Sequence, residues 1–367
     1  MPGGTPLDID IILEPDVTPS QVAELAIEAE RLGIRALWSS NYHQHWDSFL
    51  SLAPAAAVTS KIILGPLAVS PWEIHPLKMA NALLTLNEMS NGRAMVAVSG
   101  GGGILGAIGW RAETGGTVWP GHHPIKKTRY PDRRVRGVRE CLEILIQARS
   151  GKFASGYDGG TFVISRPFVM NWAESSDPLI YSCSSGPQMI RMGARIADGI
   201  QVSDFTVDML AEAKTNIDIG QAKRSLPPAD FRFGNFWAWH IKENREASMY
   251  EARRELIWRG AVIGKEKEIL MKFLHDTTEL NIIMENWDNF RKACWTRSGN
   301  IEGVPEDLVN RLIAGLSSAG NMNDLDAELE RFQQMKAGGL TELSLRLHDD
   351  PMDALQLIGQ HVLPALQ

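Results

Sequence analysis

Residues Lys61 to Gly103 read KIILGPLAVSPWEIHPLKMANALLTLNEMSNGRAMVAVSGGGG, which spells out one strand, loop, helix, strand unit. The β-branched pair Ile62-Ile63 leads into Leu64, a Gly65-Pro66 break follows, His75-Pro76 opens a helix and Asn91-Gly92 closes it. The next strand, Ala94 to Val98, starts at once. Leu77, Ala80, Leu83, Leu84 and Met89 recur at three- and four-residue spacing, which predicts one buried helix face, while both flanking strands are almost wholly apolar. Strands apolar on both faces are covered on both, the condition of a parallel sheet. Each strand runs into a glycine- or proline-marked end: Gly65, Pro66 and Leu67-Ala68-Val69-Ser70-Pro71 in the first, Gly100 to Gly103 after the second. Glycine lets backbone approach a flat or charged ligand, so the two ends predict a floor for a large one.

The alternation of β and α continues outward in both directions. Asp8 to Glu14 predicts a first strand; Thr18-Pro19-Ser20-Gln21 is a capping box with a first-turn proline, and Val22, Leu25, Ala26, Ala29 and Leu32 form a buried stripe up to Gly33. Ile34 to Ser39 is a second strand ending in Ser40-Asn41-Tyr42-His43-Gln44-His45-Trp46-Asp47, the most polar and aromatic strand end in the chain, and a helix is expected over Asp47 to Ser60. Residues 101–131 show little periodicity and hold Trp110, Trp119, His122 and His123, so this long connection is expected to act as an active-site lid, with Trp72, Trp110, Trp119 and His122 facing substrate. A helix over Asp132 to Ser150 and a hairpin around Tyr157-Asp158-Gly159-Gly160 follow. Further strands are expected at Pro178–Cys183, Gly199–Ser203, Phe231–Ile241 and Leu340–Leu347, with Ser184-Ser185-Gly186-Pro187 opening a helix through Ala197 and an irregular insertion at 281–303. Eight such repeats are the count of a closed (β/α)8 TIM barrel, here one domain over 1–367 with insertions after strands 4 and 7. An open doubly wound sheet is rejected: the run Gly100 to Gly103 lacks G-x-G-x-x-G spacing, and no acidic residue ends the following strand.

A chain of 367 residues, 44% hydrophobic, can bury a large core, and its formal charge of −7 argues against a general nucleic-acid partner. Cys141, Cys183 and Cys294 are too scattered for a disulfide framework or zinc cluster. Neither a signal segment nor a bilayer-length apolar run is evident, so a soluble cytoplasmic protein with no membrane partner is expected. Eleven tryptophans, among them Trp46, Trp72, Trp110, Trp119 and Trp172 in Gly/Pro-rich segments, suggest a broad aromatic-lined cavity, against the plainer alternative of loop packing.

The third-strand end Gly-Pro-Leu-Ala-Val, the His-Pro helix start, the helix end Leu-Asn-Glu-Met-Ser-Asn-Gly-Arg and the Gly-rich loop after strand 4 together resemble the bacterial luciferase-like family. That family contains flavin monooxygenases and deazaflavin (F420) oxidoreductases, including methylene-tetrahydromethanopterin reductases, and its fold is a TIM barrel. The resemblance implies that Leu67-Ala68 forms a non-proline cis bulge beneath the cofactor ring. It also implies that the turn Ser182, Ser184, Ser185 and Gly186 receives the cofactor phosphate, with Ser70, Ser99, Gly100 and Gly101 completing the cofactor site. Small residues entering a helix start leave N–H groups and hydroxyls for an anion, although serine is also an ordinary N-cap. The family's Asp-His pair after strand 2 is replaced by Asn41 and Tyr42, with His43 one place late, so these three are the catalytic candidates. Flavin monooxygenases of the family often hold the phosphate with an arginine just after strand 4, where this chain has Gly100.

The expected activity, as the resemblance implies it, is that of a two-component monooxygenase using reduced FMN from a separate flavin reductase, and oxygen, on a small organic substrate. The alternative is F420-dependent hydride transfer. Outside these stand a metal-dependent hydrolase built on His43, His45 and Asp349, for which strands 5 and 6 offer no further histidine or lysine, and a flavin-binding protein without turnover. A homodimer or higher homo-oligomer is also expected. The basic run Lys126, Lys127, Arg129, Arg133, Arg134, Arg136 and Arg139 borders the long loop and is read either as a solvated helix face or as a second anion site.

Overall fold

The computed structural model describes residues 6–108, 110–111, 128–129, 131–224, 230–259 and 267–366. Eight strands form its closed barrel: β1 (Asp8–Leu13), β2 (Ala36–Ser40), β3 (Ile63–Val69), β4 (Met95–Val98), β5 (Leu179–Cys183), β6 (Gly199–Ser203), β7 (Arg232–Ala238) and β8 (Glu342–Leu347). Each strand lies beside its sequence neighbours and β8 lies beside β1, the order of a (β/α)8 barrel. The register is direct: Trp38 of β2 sits opposite Ile12 of β1 and Gly65 of β3. Gly65 answers to packing, because a Cβ there would collide with the Met95 carbonyl of β4.

The chain divides into two compact units. The first comprises Asp10–Val202 with Glu212–Gly234. Its helices include α1 (Pro19–Leu32), α2 (Ala53–Val58), α3 (Pro76–Met89), α4 (Gly102–Ile108), α5 (Arg134–Ala148) and α6 (Pro187–Ile196). The predicted capping box of α1 is present: Gln21 N donates to Thr18 Oγ1 at 3.4 Å and Thr18 N donates to Gln21 Oε1 at 3.0 Å. Inside the barrel, Trp38 Nε1 donates to Asp10 Oδ2 at 2.9 Å and the indole meets Tyr181 edge-on at 5.3 Å. The side chains of Asp10, Trp38 and Tyr181 thereby mark the interior faces of β1, β2 and β5.

Three expectations are corrected in this unit. The buried face of α3 is Met79, Ala80, Leu83, Leu84, Leu86 and Asn87, whereas Leu77 is half-buried and Met89 is 46% exposed. Asn87 turns that face, since its Nδ2 donates to Ser176 O at 2.7 Å and its Oδ1 accepts from Ala94 N at 3.1 Å. The helix expected over 47–60 is a 3-10 turn at Leu50–Leu52 that runs directly into the short α2, and the Asp47 carboxylate accepts from Phe49 N and Leu50 N at its start. The aperiodic 101–131 begins with helix α4, and Trp110–Arg111 pairs antiparallel with Thr128–Arg129. Trp119, His122 and His123 lie outside the described residues.

The second unit comprises Ser203–Ala211 and Asn235–Gln367 with the N-terminal residues up to Ile9. Its insertion after β7 has its own apolar core, including Leu256, Ile283, Phe290, Leu308 and Leu312. The span expected to be irregular, 281–303, is mostly helical: Thr277–Glu285, capped by Asp276, and Trp287–Trp295. Only the stretch around Gly299 (φ 61°) and Gly303 (φ 79°) is irregular. Among the described residues, no helix is long and apolar enough to cross a membrane.

Candidate active site

The ends of β2 and β3 are fastened to one another. The Leu67-Ala68 peptide is cis, and the register of β3 against β4 shifts between Leu67 and Val69, so the strand bulges where expected. Asn41 Nδ2 donates to Ala68 O at 3.1 Å and to Glu73 Oε1 at 2.8 Å, while Asn41 Oδ1 accepts from Ser48 Oγ at 3.2 Å. Glu73 Oε1 also accepts from Ser70 N at 2.5 Å. Asn41 is therefore a clamp on the bulge. Burial pushes the Glu73 carboxyl up to about 7, against the lowering pull of the Ser70 N–H and Asn41 amide, with a further upward push from Asp47. Glu73 was not among the sequence candidates. Its signal was the S-x-x-E spacing of Ser70-Pro71-Trp72-Glu73 just before α3.

On β2, strand alternation separates two neighbouring serines. Ser39 Oγ pairs with Ser51 Oγ at 3.0 Å on the helix side, whereas Ser40 shares the face of Trp38 and lies opposite Leu67. Ser40 is 1% exposed, and its Oγ has no hydrogen-bond partner among the described residues.

The end of β4 joins this group. Ser99 N donates to Val69 O at 2.9 Å, and Gly101 N donates to Ser99 Oγ at 3.2 Å. Gly101 has φ 73°, and a Cβ there would fall 2.5 Å from Ser70 Oγ, so both backbone and space call for glycine. A Cβ on Gly100 would lie 3.8 Å from Met189 Cε, which puts the β4 end beside the start of α6.

At that start, Ser182 Oγ and Ser184 Oγ are buried and pair with each other at 2.8 Å, and Ser184 N donates to Gln201 O at 2.8 Å. Ser185 is exposed. Gly186 is the N-cap (φ −99°, ψ 150°); among the described residues no side chain caps the helix, and a Cβ on Gly186 would meet none of their atoms within 4 Å. Neither backbone nor neighbours demand glycine there, and the helix start is accessible to an anion.

Other candidates fall elsewhere. The Trp72 indole packs over Gly137 of α5 and lies 6.4 Å from the Phe162 ring, the plainer role for a loop tryptophan. Tyr42 is half-buried, and His43 and His45 are exposed in the turn after β2. In the second unit, Asp349 is ion-paired with Arg254 at 2.9 Å and Arg297 at 2.7 Å, which commits both carboxylate oxygens to cations. In the basic run, Arg139 reaches Glu143 at 3.7 Å and Arg136 packs against Gly160.

A parallel (β/α)8 barrel whose polar groups and open helix start gather at the ends of β2 to β5 has the architecture of a barrel enzyme, with its candidate ligand site at the strand C-termini. The chain belongs to the luciferase-like monooxygenase family, whose model matches residues 5–339, and is an oxidoreductase of that family. It is 26% identical over 342 residues to a 5,10-methylenetetrahydromethanopterin reductase of Archaeoglobus fulgidus, covering 92% of this chain and 93% of that protein. It is 28% identical over 191 residues to an F420-dependent glucose-6-phosphate dehydrogenase of Nakamurella multipartita, covering 49% of this chain and 51% of that one. The solved coenzyme F420-dependent tetrahydromethanopterin reductase of Methanopyrus kandleri superposes with a TM-score of 0.80 at 23% identity, covering 99% of this chain and all of the other.

Proposed function

We propose that this chain is an F420-dependent oxidoreductase that moves a hydride between the deazaflavin and a small organic substrate. This reverses the order of the two readings drawn from sequence, placing reduced-FMN monooxygenation second. The relatives named above support the change, as does Gly100 standing where flavin monooxygenases of the family often carry a phosphate-binding arginine. The structural observation that carries the oxidoreductase reading is the β3 bulge braced by Asn41 and Glu73, a ring ledge that suits either cofactor; the choice of F420 rests on the relatives and on Gly100.

The residues present fit the cofactor. The bulge offers a ledge for a flat ring, Ser40 offers a buried hydroxyl with no partner among the described residues, and α6 offers a start that none of those residues' side chains caps, open to a phosphate. Bound F420 would supply the two-electron hydride chemistry. The protein's part is to hold and orient. Asn41 fixes the Ala68 carbonyl and so the height of the ledge, and Glu73 fixes Asn41 and Ser70 in turn. The N–H groups at the start of α6 and its positive dipole end would hold the phosphate. Glu73 can keep or release a proton near neutral pH, which changes the charge behind the ledge.

Equilibrium titration tests this. Adding protein to oxidised F420 and, separately, to FMN, and following the fluorescence of each, should give saturable quenching of F420 at micromolar protein and weaker quenching of FMN. Tighter binding of FMN would restore the monooxygenase reading.

A further inference from the structure

We infer that Ser40 is a cofactor-contacting residue whose hydroxyl donates a hydrogen bond to a polar atom of the ring resting on the Leu67-Ala68 bulge. The inference rests on the proposed F420 reading and adds a residue to it.

Three observations converge. Ser40 follows Trp38 by two places on β2, and Trp38 faces the barrel interior against Asp10 and Tyr181, so alternation sends the Ser40 side chain the same way. Its Cα partner in the ladder is Leu67, the first residue of the bulged pair. The hydroxyl is buried and has no partner among the described residues, while the neighbouring hydroxyls of Ser39, Ser48 and Ser51 are all bonded within the protein. A buried hydroxyl left unpaired is destabilising, and alanine would fill an interior β position without that penalty. Serine is therefore hard to explain by packing. Asn41, one place on, cannot take the role, because its two amide hydrogens go to Ala68 O and Glu73 Oε1 and its Oδ1 is taken by Ser48. Of the polar side chains at Ser39, Ser40 and Asn41, Ser40 alone keeps its hydrogen-bonding capacity for a ligand.

Ser40→Ala provides the test, with two readouts that a structural role and a ligand role move in opposite directions. The ligand-free variant should melt no lower than the wild-type protein, because the substitution removes an unpaired buried group. Its dissociation constant for oxidised F420 should rise roughly 2- to 12-fold, the worth of one ordinary hydrogen bond. The same factor should appear for the phosphate-free ring and ribityl fragment, which separates the ring contact from the helix-start contact. Ser40→Thr, which keeps a hydroxyl, should recover part of the affinity. A lowered melting temperature with unchanged affinity would overturn the inference and make Ser40 a structural residue. Unchanged affinity and melting temperature would overturn it as well. Wild-type protein that binds FMN and not F420 would overturn the proposed function alone, and the Ser40 comparison would then be made with FMN and riboflavin, where equal losses support the ring contact and equal affinities refute it. Binding of neither would refute both.

Discussion

Glu73 ties its own turn to the end of β2, and its titration falls in the working pH range. Burial lifts its carboxyl from about 4.5 to about 7, so the folded protein holds this proton more tightly than the unfolded chain does. Its stabilising contribution is complete below about pH 4.5 and is lost as pH rises through about 7, where a partly buried carboxylate appears. Glu73→Gln keeps the Oε1 that both Ser70 and Asn41 use, and removes the titration. Melting temperatures should then match the wild type near pH 5 and exceed it near pH 8 by the equivalent of about 1 kcal/mol, a figure reduced for the group's partial exposure. Parallel pH profiles for the two proteins would show that Glu73 does not titrate there. This residue was hard to read from sequence because Asn41 lies 32 positions away, so the pairing exists only once β2 and β3 are adjacent. The opposite held for Leu67-Ala68, where the family resemblance and the Gly65-Pro66 break in an apolar strand together pointed to the bulge within one short stretch.

At the scale of elements, two contacts make separate predictions. The carboxylate of Glu30, near the end of α1, accepts from the N–H groups of Ser60, Lys61 and Ile62, which joins that helix to the start of β3. Burial raises its pKa, but the N–H groups of Ile62, Lys61 and Ser60 together outweigh this and hold it at about 2. Stability from Glu30 is therefore complete above about pH 4.5 and disappears as pH falls through about 2. Glu30→Gln should lower stability at neutral pH by about 1 kcal/mol, discounted for exposure, with the gap to wild type closing in acid; urea denaturation across that range measures it. A constant gap would mean the loss is steric. The second contact is the open start of α6. Ser185 is exposed, so Ser185→Asp should leave the fold intact while its carboxylate occupies the N–H groups and repels a phosphate. Affinity for F420 should fall by about 2 kcal/mol or more, and affinity for the phosphate-free fragment far less. Equal losses would move the phosphate to another site, with Arg133 to Arg139 next in line. The caps and stripes of α1 were legible because they are local patterns. The face of α3 was misplaced because Asn87, which reads as polar, is drawn inward by bonds to Ser176 and Ala94.

At the scale of the whole molecule, alternating β and α segments were enough to count eight strands, and ladder order from β1 round to β8 agrees with that count. What local pattern could not supply was the choice between FMN and F420, since a ring ledge and a helix start for phosphate suit both. The long insertion after β7 was also underread: its helices bury their faces against one another, a packing that no single helix of the sequence displays. The choice of cofactor is open to a direct kinetic measurement. Reduced F420 and reduced FMN are each mixed with the protein and with methylene-tetrahydromethanopterin as the first substrate tried, followed by other small electrophilic acceptors, while absorbance and dissolved oxygen are recorded together. The proposed function predicts substrate-dependent oxidation of reduced F420 that proceeds without air and consumes no oxygen. Substrate-dependent oxygen uptake with reduced FMN, and no oxidation of F420 by any acceptor, would contradict it.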